Sequence, residues 1–105
     1  MVIFSTEVED YLKKLSTTLF KKEYFGFEAT AQEYVDKIIS EIEDNIHIKR
    51  HHTSPNHFLK YGNYYIKVSG SKRTMWYVFF DKKGTRFFIE HVFNNHNAPA
   101  ALLNL

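Results

Sequence analysis

Between Thr6 and Leu19 the apolar positions are Val8, Tyr11, Leu12, Leu15 and Leu19. Their spacing of one to four residues lines a single stripe of a helix. Thr6 and Glu9 have the spacing of a capping box, in which a hydroxyl and a carboxylate satisfy two free N–H groups at a helix start. The pattern breaks around Gly26 and resumes in TAQEYVDKIISEIEDNI. There Ala31, Tyr34, Val35, Ile38, Ile39, Ile42 and Ile46 form a second stripe, and Thr30 and Glu33 repeat the capping-box spacing. Two amphipathic helices so close in sequence predict an antiparallel hairpin. Ahead of them, VIF at residues 2–4 reads as a short strand.

After Tyr64 the period changes. YYIKVS alternates Tyr64, Ile66 and Val68 against Tyr65 and Lys67, as a half-buried strand does. SGSKR is a turn, and TMWYVFF is apolar throughout, the mark of a central strand covered on both faces. DKKG connects it tightly to TRFFIEHVF. Residues 47–60 follow neither period, and Ser54-Pro55-Asn56 signals a turn, so this stretch is predicted to be a connector. The predicted order is β-α-α-β-β-β: an α+β fold in which a helical hairpin packs on one face of an antiparallel sheet. One domain spans residues 1–105, with a peripheral tail at 94–105.

Composition sharpens this picture at three points. Ten Phe and seven Tyr favour a sheet-rich core. The chain has no Cys, which excludes disulfides, thiolate metal sites and cysteine nucleophiles. The net charge of +2 hides an asymmetry. Residues 1–46 hold ten Asp or Glu against five Lys, whereas residues 47–105 hold nine Lys or Arg, two Asp or Glu and all six His. No apolar run matches a membrane span or a signal-peptide core, so a soluble, cytoplasmic protein is expected, with no membrane partner.

The densest candidate chemistry is HIKRHHTSPNH at residues 47–57, with four of the six histidines. His51 and His52 are adjacent, and adjacent side chains on extended backbone do not converge on one ion. Neither a helical HExxH nor a Cys completes a ligand set, so no metal and no cofactor are expected. The stretch is expected to lie beside a basic face and add phosphate contacts rather than chemistry. Glu41, Glu43 and Asp44 read as a solvated helix face. Glu90 and His91 point in opposite directions along the last strand. GxSxG, Walker and GxGxxG motifs are all absent. The remaining pattern is positional: Lys60, Lys67, Lys72, Arg73, Arg86, His91 and His96 are interleaved with Tyr61, Tyr64, Tyr65, Trp76 and Tyr77. Cations on a sheet with aromatic faces between them can hold a phosphate backbone and stack an unpaired base. The other reading makes the aromatics core and the lysines ordinary surface.

Three stretches carry a resemblance to a known family: VIFSTEVEDYLKKL, EATAQEYVDKIISEI and YYIKVSGSKRTMWYVFFDKKGTRFFIEHVFNNH. Together with the element order they resemble the RelE/ParE superfamily of toxins from bacterial toxin–antitoxin systems, over most of the chain. The resemblance implies a toxin neutralised by a cognate antitoxin protein. RelE-like members cut mRNA in the ribosomal A site, whereas ParE-like members inhibit DNA gyrase and cut nothing. Lys67 matches a strand lysine of the RelE-like members, Arg73 an arginine opening the next strand, and His96 lies near a basic position after the last strand. On that reading Lys67, Arg73 and His96 are catalytic in a metal-independent endoribonuclease. His96 then serves as base or acid, and Lys67 and Arg73 stabilise the phosphate. Lys60, Lys72, Arg86, His91, Tyr65 and Tyr77 are the implied nucleic-acid contacts. The family pattern also puts a Tyr near the C-terminus, where this chain has none after Tyr77. That departure keeps the gyrase reading and a non-catalytic binding member open. All three readings call for an apolar groove along the helical hairpin for a partner helix or strand. The apolar tail 98–105 would fill that groove, cover the core or join a homodimer.

Overall fold

The computed structural model describes residues 1–21, 28–71 and 74–96. Its elements are β1 (Val2–Phe4), α1 (Thr6–Lys21), α2 (Glu28–Asn45), β2 (His52–Thr53), a 3-10 helix (Asn56–Tyr61), β3 (Tyr64–Ser71), β4 (Thr74–Lys83) and β5 (Arg86–Asn94). The strands form one sheet in the order β1-β5-β4-β3-β2. The α+β reading and the α-helical and strand segments agree with the sequence pattern. The all-antiparallel sheet does not, because β1 runs parallel to β5, with Val2 opposite Phe87 and Phe4 opposite Ile89. The sheet also has a fifth strand: β2, inside the expected connector, pairs His52 with Tyr65 and Thr53 with Tyr64.

Both helix starts differ from the capping-box expectation. The Val8 N–H donates to Ser5 Oγ at 3.1 Å, so Ser5 rather than Thr6 caps α1. Ser5 also donates its own N–H to the Ile89 carbonyl at 2.9 Å, which fixes the helix start to the sheet. Glu7 and Glu9 sit in the first turn, where the helix dipole favours negative charge. α2 begins at Glu28, which puts Thr30 inside the helix. At its other end α2 has no basic residue in the last turn. His51 serves there instead, its Nε2 lying 2.6 Å from the Ile46 carbonyl. A carbonyl only accepts, so Nε2 carries the proton and Nδ1 is free to accept from Lys82 Nζ at 3.4 Å.

Period-2 alternation divides the sheet's side chains between two cores. On the helix side, Val8, Leu12, Leu15, Val35, Ile38, Ile42 and Ile46 pack on Ile66, Val68, Trp76, Val78, Phe80, Ile89 and Val92. On the other side, Tyr65, Tyr77, Phe79 and Phe93 form an aromatic layer closed by Phe58 of the 3-10 helix. β4 lies between the two cores, and its run from Trp76 to Phe80 is buried throughout. On the helix side the Trp76 Nε1–H donates to Tyr34 Oη at 3.1 Å. This pair crosses the backbone at Gly70, where a Cβ would fall 2.6 Å from Trp76 Nε1. Only glycine fits there, and the β3–β4 register slips by one residue at that point.

Candidate nucleic-acid interface on the outer sheet face

The face turned away from the helices, here the outer face, collects most of the described residues singled out in the sequence. Strand register arranges it in rows. One row runs His52, Tyr65, Phe79, His91 across four strands. The next runs Lys67, Tyr77, Phe93, and beyond it Ser69 lies opposite Met75. Asn95 closes that end, donating its N–H to the Met75 carbonyl at 3.0 Å and accepting the Met75 N–H on Oδ1 at 2.9 Å.

His91 owes its place to an irregularity. Phe80 pairs with Ile89 and Phe79 with His91, so Glu90 is an extra residue in β5. Were Glu90 paired in regular register, strict alternation from Ile89 would turn His91 towards the helices. The bulge instead turns it outward, where it stacks on Tyr61 with ring centroids 4.0 Å apart and planes within 10°. Lys60 Nζ lies over the Tyr61 ring, 5.1 Å from its centroid. Glu7, from the first turn of α1, brings Oε1 to 3.8 Å from His91 Nδ1. Burial holds the His91 imidazolium below its usual range and Lys60 adds to this, while Glu7 partly offsets both. The outcome is a half-exposed imidazole with a carboxylate at Nδ1, an arrangement that leaves Nε2 able to accept a proton.

The other candidates are more scattered. Lys67 is exposed in the middle row. His96 is exposed just past β5, its Nε2 3.3 Å from Thr74 Oγ1 and its N–H donating to Asn94 Oδ1 at 2.9 Å. Thr74 sits opposite Ser71, four residues along β3 from Lys67, so about 13 Å of strand separates the two sites. Arg86 lies opposite Lys83 beside the β4–β5 turn, at the far end of β5 from His96. Tyr65 and Tyr77 are only 8% and 4% exposed. Tyr65 is stacked by His52 at 4.9 Å, and Tyr77 packs on Tyr65 and Phe93. Base stacking on either ring therefore requires a neighbour to move. Lys72, Arg73 and the tail 98–105 lie outside the described residues.

The histidine-rich stretch divides rather than acting together. His51 faces the helix-side core, its ring 5.0 Å from Phe80 and 5.7 Å from Phe87. His52 faces outward on Tyr65, and His57 is exposed with its ring against Phe58. Among the described residues, no three His, Asp or Glu side chains are grouped to hold a metal ion. Sequence reading missed Glu7, which only the β1–β5 pairing brings to His91, and Arg50 with His52 as a pair apart from the rest of the connector.

A separate concavity of about 160 Å³ opens between α1, α2 and β1. Phe4, Leu12, Val35 and Ile39 line it, with Glu9 and Lys13 among its polar members. No helix among the described residues is long and apolar enough to cross a membrane. Comparison of the chain with protein-family models, curated proteins and solved structures finds no match.

Proposed function

We propose that this chain is a RelE/ParE-type toxin that cleaves mRNA in the ribosome without a metal, using the outer sheet face. The observation that supports this is the gathering of Lys60, Lys67 and His91 on that one face, with His91 turned there by the Glu90 bulge. Cleavage of this class is an internal transfer. A base removes the ribose 2′-hydroxyl proton, the O2′–P bond forms, the P–O5′ bond breaks, and an acid protonates the departing O5′. His91, oriented by Glu7, is the base. Lys60, over the Tyr61 ring, stabilises the charge building on the phosphate, Lys67 holds the adjoining backbone, and a water molecule is the acid that protonates O5′. The apolar concavity between α1, α2 and β1 receives a side chain of the cognate antitoxin.

A gyrase-directed toxin is the second reading. It is favoured by the occupied faces of Tyr65 and Tyr77 and by the strand distance between Lys67 and His96. One experiment separates the two: brief induction in a bacterial host with transcript 5′ ends mapped minutes later. The ribonuclease reading expects new ends inside translated codons that vanish when translation is blocked. It also expects a drop of at least ~100-fold in cutting for His91→Ala, the low end of what a general base contributes. Growth arrest with intact transcripts and an SOS response would transfer the assignment to gyrase.

A further inference from the structure

We propose that Arg50, His52 and Lys67 form a phosphodiester-binding subsite at the β2 edge of the outer face, gripping the backbone of a single-stranded nucleic acid. The ligand class rests on the function proposed above, but the site itself is argued from local geometry. β2 exists only as two residues, and its pairing with Tyr64 and Tyr65 sets His52 on the outer face. The His52 ring lies nearly parallel to Tyr65, 18° between planes, and so has a fixed platform. Lys67 follows Tyr65 by two residues on the same face of β3.

The charges are all of one sign. Burial is the main force against the His52 imidazolium, and Lys67 and Arg50 both add to it. Among the described residues no carboxylate offsets them, in contrast to His91, which has Glu7. Arg50 also acts on Tyr65, whose hydroxyl is otherwise held above its usual range by burial and by Tyr77. Lys67, two residues along β3 from Tyr65, and Arg50, two residues before His52, therefore bring two cations to the stacked His52–Tyr65 pair. A phosphate set among them would relieve the mutual repulsion and draw a proton onto His52. Of the other histidines in the stretch, His51 is committed to the Ile46 carbonyl and the helix-side core. The subsite lies three strand spacings, about 14 Å, from His91 along one sheet row, so one extended strand of nucleic acid could reach both.

The test uses the full chain with isotope-labelled histidines. His52 is followed by NMR from about pH 8 to pH 5, a range bracketing the histidine titration, alone, with inorganic phosphate and with a short oligouridylate. Both ligands should perturb His52 and raise its pKa, and binding should tighten as pH falls. In parallel, oligouridylate affinity is measured against salt for the wild type and for Arg50→Gln with Lys67→Gln, both exposed positions. The log–log slope should fall by about 1.4, since each lost contact to a single strand removes about 0.7. An unchanged slope, or a response at His91 and His96 without one at His52, overturns the subsite. So does failure of both ligands to bind. Because this readout needs no cutting, intact transcripts on induction would sink the ribonuclease reading and leave the subsite standing.

Discussion

His91 carries the clearest consequence at the scale of one residue. Its proton affinity is lowered by burial and Lys60, more than Glu7 restores it. An unfolded chain takes up this proton near the ordinary value of 6.5, whereas the folded chain takes it up only at lower pH. Between those two values the unfolded state binds more protons, so stability falls as pH drops through that window. Above it both states are neutral at this position and stability is flat. His52 contributes with the same sign. Urea midpoints should therefore hold steady near pH 7.5 and decline below about pH 6.5, the unperturbed histidine range. His91→Gln combined with His52→Gln should flatten the decline. An equally steep decline in the double variant would place its origin in other groups.

At the scale of elements, the bulge in β5 is the device that builds the outer face. Deleting Glu90 would leave Ile89 opposite Phe80 and His91 opposite Phe79, because Glu90 is the unpaired residue. The shortened strand should fold with His91 still stacked on Tyr61, visible as a ring-current shift of its imidazole protons. A Gly inserted after Glu90, as a second extra residue, should have the opposite effect, because one more step reverses the facing of His91 or of every later residue. Loss of folding on deletion of Glu90 would show that the bulge's twist is indispensable. The bulge also marks where reading the sequence stops working. The stripes of α1 and α2 and the alternation of β3 were legible because one period spans each element. The buried run Trp76–Phe80 was legible because both sides of β4 are covered. A one-residue slip at Glu90 has no local signature, since it is defined only against the partner strand. The 3-10 helix was hidden for a related reason: Phe58 and Leu59 are a lone apolar pair in a polar stretch, and the burial of Phe58 depends on an aromatic layer assembled from three distant strands. Of the outer face, Lys67 and His91 could be nominated from the pattern. Glu7 could not, because 84 residues separate it from His91.

Across the whole molecule, β4 and its neighbours hold two cores together. Helix-side residues and aromatic-layer residues alternate along the same strands, so neither core can form without the sheet. A chain ending at Lys83 keeps both helices, β3 and β4. It loses Ile89, Val92 and Phe93, together with β5 as the partner of β1 among the described residues. Such a chain should lack a cooperative urea transition, and one that unfolded cooperatively would show that the helix-side core is self-sufficient.

The parallel pairing of β1 with β5 joins Val2 to Phe87, nearly the two ends of the described chain. During synthesis, then, the first strand emerges and waits. At bacterial-to-eukaryotic translation speeds of about 5–20 residues per second, its partner appears roughly 4–17 s later. Through that interval the apolar stripes of α1 and α2 have no sheet to cover them. A nascent chain of this design is a client for whatever binds exposed amphipathic helices, and it acquires its outer face only with the last strand. Any activity housed on that face is thereby withheld until β5 has left the ribosome.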